Sequence, residues 1–269
     1  MSSEFDPAYV AGLFDTVGRV HFSHSDADDG NYTVRPKLRL KPYQVDLRTA
    51  VIDEFLEERG YQYDLVDRGG GDEFFQLQQR SDLVDLQSYL AGESATLVRE
   101  LTFVNTVFRE EFDYETLAPR DLYRFALARD KPRYGWQPRG RYHLSPDDLV
   151  DRHDFSPEAV TAPSLPPGDL RTDYSVEWMA GVWDGRCRYR PSVTDSDEYE
   201  IGYGLYPIAR LHRAGVSERF VSNVVRFCED YDLSFGDSSD RTSLGITFTG
   251  PANIRRVLDV LFPRLLVLA

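Results

Sequence analysis

Apolar residues along this chain recur at two different spacings, and each spacing predicts an element. A short helix is expected in the segment 7–20, followed by strands near 19–24 and 32–41. The second of these strands alternates strictly: Val34, Pro36, Leu38 and Leu40 against Arg35, Lys37, Arg39 and Lys41, which places the two sets on opposite faces. Helical spacing returns at 46–59 with Val51, Ile52, Phe55 and Leu56, strands are predicted at 62–67 and 74–80, and a helix at 82–90 carries Leu83, Leu86 and Leu90.

The same succession then runs a second time. The segment 177–189 opens it, strands follow near 188–194 and 199–212, and a helix at 217–231 carries Val224, Val225, Phe227 and Cys228. Strands near 233–237 and 243–249 and a helix at 252–262 with Ile254, Val257 and Leu261 complete it. Both halves read αββαββα, which makes the fold class α+β, built from an internal repeat. The repeats are placed at 1–92 and 173–269. Between them, 93–112 reads as an additional amphipathic helix, and 113–172, with Pro132, Pro138, Pro146, Pro157, Pro163, Pro166 and Pro167, as an irregular connection.

The helices that open the two halves can be aligned residue by residue. VAGLFDTVG at 10–18 faces MAGVWDGRC at 179–187, pairing Gly12 with Gly181 and Asp15 with Asp184 at a constant offset of 169. Each copy resembles a degenerate LAGLIDADG motif, and with the αββαββα order the resemblance to the single-chain, two-repeat LAGLIDADG homing endonucleases covers nearly all of the chain outside 93–172. The resemblance implies two short helices crossing at a pseudo-twofold axis, with Ala8, Ala11, Gly12, Ala180 and Gly181 allowing close approach. It also implies two antiparallel four-stranded sheets that together form a saddle on duplex DNA. In that family the eighth motif residue is a carboxylate, and two of them hold divalent metal for attack of water on a phosphodiester. Here the eighth positions are Val17 and Arg186, so no catalytic residues are assigned. The acids that remain, Asp15 and Asp184, lie two residues earlier, about 200° around a helix, and are expected to bond at the helix end or between the crossing helices. Gly18 has become Cys187 in the second copy.

The strands supply the candidate contacts. Arg35, Lys37, Arg39 and Lys41 share a face; Arg186, Arg188 and Arg190 do so at the start of the second repeat, with Arg19 and His21 opposite the last two by the repeat offset. Arg210 belongs with them. Gln76, Gln78 and Arg80 in the first repeat, and Thr247 and Thr249 in the second, are read as further base-edge or phosphate contacts, since Arg suits guanine and Gln suits adenine in a major groove wide enough for a β-ribbon. In the connection, Arg120, Arg124, Arg129, Lys131, Arg133, Arg139 and Arg141 are interleaved with Tyr123, Tyr134 and Trp136. That segment suits either a clamp on the DNA backbone or a solvated loop pinned by aromatics.

Composition sharpens this picture. The formal charge is −14, from 45 acids against 31 bases, and Lys occurs only at Lys37, Lys41 and Lys131. Such acid-rich, Lys-poor usage resembles that of salt-loving archaea. In molar salt the Debye length falls to about 3 Å, so the charge of the contacting face governs nucleic-acid binding. Two cysteines, Cys187 and Cys228, are too few for a disulfide framework or a zinc site. His21, His24, His143, His153 and His212 form no metal-binding spacing. Gly69-Gly70-Gly71 precedes a strand and reads as a turn; Asp26 to Gly30 reads as a solvated turn. The start, MSSEFDPAY, lacks a basic stretch followed by an apolar run, and no stretch approaches 18 apolar residues, so neither export nor a membrane span is expected.

The expectation is therefore a cytoplasmic, nucleoid-associated monomer that binds duplex DNA without cutting it, as a regulator or architectural factor, with no cofactor. Three alternatives stay open. The chain is an active endonuclease using Mg²⁺, an RNA-binding splicing cofactor like the intron maturases of the same scaffold, or an interaction protein with no nucleic acid at all.

Overall fold

The computed structural model describes residues 5–26, 32–42, 46–69, 73–108, 117–129, 146–154, 156, 160, 170–195, 203–214, 216–241 and 243–266. The first repeat runs α1 (Pro7–Val17), β1 (Gly18–Asp26), β2 (Tyr32–Leu40), α2 (Asp46–Glu58), β3 (Tyr63–Asp67), β4 (Glu73–Leu77) and α3 (Arg80–Leu90). After it come α4 (Leu97–Thr102), continued by a π-helical turn over Phe103–Phe108, then α5 (Pro119–Arg129) and α6 (Pro146–His153). The second repeat is α7 (Val176–Arg186), β5 (Arg188–Asp195), β6 (Tyr203–Ala214), α8 (Glu218–Asp230), β7 (Gly236–Asp237), β8 (Ser243–Thr249) and α9 (Pro251–Leu261), with a last 3₁₀ turn at Phe262–Arg264. Each repeat forms an antiparallel four-stranded sheet, ordered β1-β2-β4-β3 and β5-β6-β8-β7.

The opening helices start in the same way. Asp6 accepts hydrogen bonds from the N–H groups of Ala8 and Tyr9, and Ser175, 169 residues later, accepts from Trp178 N–H. Both are side-chain N-caps. The helices then cross with almost no space between their backbones. A Cβ on Gly12 would overlap the Trp178 carbonyl oxygen and lie 3.0 Å from Val182 N; one on Gly181 would overlap the Tyr9 carbonyl oxygen and lie 2.7 Å from Leu13 N. Tyr9 and Trp178, like Leu13 and Val182, are themselves 169 apart, so the two glycines make one contact seen from its two sides.

This crossing lies inside one hydrophobic cluster that joins the repeats. Leu38, Leu40, Phe75 and Leu77 line it from the first sheet, and Ala209, Leu211, Ile246 and Phe248 from the second. The helix positions read from sequence are buried as equivalents: Ile52, Phe55 and Leu56 beside Val224, Phe227 and Cys228, and Leu83, Leu86 and Leu90 beside Ile254, Val257 and Leu261. Cys187 and Cys228 are both buried thiols. No described helix is long and apolar enough to cross a membrane.

The middle of the chain differs from its sequence reading. The single helix expected over 93–112 is shorter among the described residues and widens into the π turn, and the segment read as irregular contains α5 and α6. Its prolines misled because Pro119 and Pro146 stand at the first position of helices, where the missing N–H costs nothing. Leu122 and Tyr123 of α5 and Leu149 of α6 pack with Tyr32, Val34, Phe103, Leu117 and Val160 into a second hydrophobic cluster. Arg124 pairs with Asp121 one turn earlier. The segment 130–145, with Lys131, Arg133, Tyr134, Trp136, Arg139, Arg141 and His143, lies outside the described residues, as do 27–31 and 70–72.

The Gly12–Trp178 contact sets a test of the repeat interface. Gly12→Ala forces a methyl into backbone and is expected to cost about 3 kcal/mol of stability, read as a lower urea midpoint, and Gly181→Ala should match it. A midpoint unchanged in either variant contradicts the crossing.

Candidate nucleic-acid interface

The last turns of α1 and α7 carry two buried acids, Asp15 and Asp184, each hydrogen-bonded within the fold. Asp15 accepts hydrogen bonds from Ser94 Oγ at 2.6 Å, from the N–H groups of Ala95, Thr96 and Leu97 at 2.7, 3.1 and 2.8 Å, and from the Trp178 indole at 3.2 Å. It thereby caps α4 and ties it to α7. Asp184 accepts from the Tyr9 hydroxyl at 2.7 Å and from Leu266 N–H at 2.9 Å. Tyr9 and Trp178 are repeat equivalents, and so are Leu97 and Leu266. Each acid binds an aromatic donor from the opposite helix and the chain that follows the last helix of its own repeat. Burial pushes the Asp15 carboxyl up from its ordinary 3.8, and bonds from Leu97, Ser94, Ala95 and Trp178 oppose that.

At the eighth motif positions the chemistry is cationic and apolar. Val17 is buried in the core, and its carbonyl accepts from Lys41 N–H at 2.9 Å. Arg186 ends α7 and does not lie on β5 as the strand reading had it, because the helix keeps its last turn through Arg186 and Cys187 caps it. Its Nε donates to the His212 carbonyl at 2.6 Å. The next residue on β6, Arg213, reaches across to the first repeat and donates from Nη2 to the Gly18 carbonyl at 2.9 Å. Burial, with the nearby charges of Arg19 and Arg186, pushes the Arg213 guanidinium down to about 9, against the pull of Glu100 and Asp15. Glu100 on α4 accepts from Val20 N–H at 2.7 Å. Its carboxyl is pushed up from 4.5 by burial, opposed by that bond and by the charges of Arg19 and Arg213.

The sheet faces away from the core hold most of the sequence-derived candidates. Across the first sheet Arg19 pairs with Arg39, Arg39 with Gln76, and Gln76 with Asp64; beside this row His21 pairs with Lys37 and Ser23 with Arg35. Burial alternates along β2, with Tyr32, Val34, Pro36, Leu38 and Leu40 buried, Arg35 exposed, and Thr33, Lys37 and Arg39 half-buried. Arg35 and Lys41 are exposed, while Arg39 is half-buried with its guanidinium 4.9 Å from the centre of the Phe74 ring. In the second sheet Arg188 pairs with Arg210, Arg210 with Thr247, and Ile208 with both Arg190 and Thr249. Arg210 and Thr249 are exposed.

Three candidates sit elsewhere than expected. Gln76 is on the cationic face but only 8% exposed. Gln78 lies just past the end of β4, its amide 3.4 Å from Asp64 at the sheet edge. Arg80 is the first residue of α3, since β4 stops at Leu77 and the helix begins two residues before the predicted start. Arg120 and Arg124 belong to α5, and Tyr123 is a core residue at 7% exposure, so it offers no stacking surface. Sequence reasoning missed Arg213 and Glu100. Arg213 escaped because β6 was ended at 212, whereas the strand pairing aligns Arg39 with Arg210 and shifts the repeat offset to 171 beyond the first hairpin. Among the described residues no group of three or more His, Cys, Asp or Glu converges.

Glu100 makes the centre of the molecule pH-sensitive. Its folded value lies above 4.5, so its contribution to stability is fully present below pH 4.5 and is lost as pH rises through the folded value. Glu100→Gln should remove that fall, so that the difference in urea midpoint between variant and parent changes with pH across this window. A constant difference contradicts the assignment.

No protein-family model matches the sequence, and no curated protein matches it either. Solved structures do resemble the fold. The meganuclease I-SmaMI, bound to uncleaveable DNA, matches with a TM-score of 0.66 at 13% identity over 97% of this chain and 84% of its own. The LAGLIDADG meganuclease I-AabMI, bound to uncleaved DNA, gives 0.61 at 12% identity over 96% and 84%. The LAGLIDADG homing endonuclease I-GzeII, in complex with its DNA target, gives 0.62 at 12% identity over 97% and 84%. With two antiparallel four-stranded sheets joined across a pair of crossing helices, the chain has the two-repeat fold of the LAGLIDADG homing endonucleases.

Proposed function

We propose that this chain binds duplex DNA across its two cationic sheet faces and does not cut it by a metal-dependent route. The alternation along β2 carries the first half of this reading. In a chain with 45 acids and 31 bases, Arg35, Lys37, Arg39 and Lys41 follow one another on a face without an intervening acid. Arg19 and His21 flank them across the ladder, and in the second sheet the Arg188–Arg210 pair repeats Arg19–Arg39, with Arg190 further along β5. Cations on a twisted ribbon meet phosphates, and arginine also reads guanine edges. The DNA-bound state of I-SmaMI, I-AabMI and I-GzeII on the same fold supports a duplex as the partner. One chain already holds both repeats, so a monomer addresses two half-sites.

The second half rests on the helix ends. A divalent cation needs oxygen ligands, and the residues there do not fit one. Val17 is aliphatic, Arg186 and Arg213 are guanidinium donors, and both Asp15 oxygens and Asp184 Oδ2 serve buried backbone and aromatic donors. A scaffold that keeps its contact surface while its cutting centre lacks ligands suits a regulator or architectural factor.

Two measurements address the halves separately. Changing Arg35, Lys37, Arg39 and Lys41 together to Gln is expected to abolish retention of a random-sequence duplex pool, or to lower the slope of log affinity against log salt by about four where binding survives. Equal retention by the variant rejects the surface. Incubating the unaltered protein with the pool and Mg²⁺ or Mn²⁺ is expected to leave the DNA intact, and metal-dependent cleavage products reject the second half.

A further inference from the structure

Phe74 is only 3% exposed, yet it joins neither of the two hydrophobic clusters formed by the described residues. Phe75 and Leu77 of β4 point into the core, so alternation turns Phe74 and Gln76 to the opposite, cationic face. There the Phe74 ring meets two guanidiniums, Arg39 at 4.9 Å and Arg68 at 5.2 Å from its centre. Arg68 directly follows β3 and is exposed, and Gly69, with φ of 79°, turns the chain behind it.

An aromatic ring on the outward face of a sheet stabilises the fold little unless something lies against it. Here two cations do, and the negative face of the ring offsets part of their mutual repulsion. A ring steadies a guanidinium, so that less side-chain freedom is lost when a ligand binds, and it leaves the N–H fork to outside acceptors. That fork matches O6 and N7 of guanine. Asp64, exposed on the same face as the cross-strand partner of Gln76, points to a base edge here in preference to a phosphate. A carboxylate repels the DNA backbone and accepts from the amino groups of bases.

The second repeat is built differently at the same place. The strand pairing that aligns Arg39 with Arg210 also aligns Gln76 with Thr247 and Phe74 with Gly245, and on the edge strands it aligns Asp64 with Gly236. Continued along that edge, Arg68 falls on Asp240. No ring fits there, because a Cβ on Gly245 would overlap Ser238 Oγ. The paired cations Arg19 and Arg39 recur as Arg188 and Arg210, while the ring and its second arginine belong to the first sheet.

We infer that Arg68, steadied on Phe74 beside Arg39, reads a guanine in the half-site under the first sheet. Gly245 and Asp240 give the second half-site no such reader, so the chain sets its duplex in one orientation. This rests on the DNA-binding reading and adds to it a base and the residue that selects it.

The test uses a duplex recovered from a random pool by retention on the full chain, with affinity measured after each base pair in turn is replaced by the other three. One half of the site should hold a G·C pair whose replacement lowers affinity about tenfold, with no guanine requirement at the mirrored position. Arg68→Lys, which keeps the charge and loses the fork, should remove that requirement and leave the preferences at other positions unchanged. Phe74→Leu, which removes the ring, should weaken it several-fold. A requirement that persists in Arg68→Lys, stays undiminished in Phe74→Leu or appears equally in both halves overturns the assignment. So does an Arg68→Met variant that loses affinity evenly for all sequences with a salt slope lower by about one, the mark of a phosphate contact. Each of these leaves the DNA-binding reading intact, whereas failure to recover any duplex rejects both.

Discussion

The contact on which the rest of this structure depends is the approach of two helix backbones at Gly12 and Gly181, so close that neither position admits a Cβ. That approach fixes the relation between the repeats. It brings the Trp178 indole to Asp15 and the Tyr9 hydroxyl to Asp184, and each acid then secures the chain that follows the last helix of its own repeat. A buried carboxylate surrounded by donors is expensive to leave unsatisfied, so the helices, α4 and the C-terminal turn stand or fall together. The two sheets keep their relative placement because both pack on this one cluster.

Much of this was legible in the sequence because the signals were local and duplicated. A nine-residue match at a constant offset, the alternation in 34–41 and the leucine spacing in 83–90 each state a face or an element directly. The Asp15 network was legible only as a tendency, since its donors at 94–97 lie some 80 residues away and nothing in their side chains apart from Ser94 marks them. The connection was misread because proline has two meanings: it breaks a helix interior and it starts a helix at Pro119 and Pro146. Arg80 and Gln78 were misplaced by a strand end, where propensity is weakest, and Gln76 was taken as open because face is readable from alternation while burial beneath neighbours is not.

The electrostatic design separates two surfaces of one acidic molecule. Carboxylates dominate the total, yet the outward face of β2 carries arginine and lysine and α7 ends on Arg186. Counterion release weakens as salt rises, so at high ionic strength a binder of this kind depends more on directional arginine bonds than on net charge.

The most direct test of the central claim uses the scarcity of lysine. Lys37 and Lys41 sit on the proposed contact face, and the chain has one other lysine, Lys131. Acylation rates at each lysine, followed by mass spectrometry with and without a retained duplex, are expected to fall several-fold at both Lys37 and Lys41 when DNA is bound. Unchanged rates at both in the presence of bound duplex would place the DNA on another surface and contradict the account.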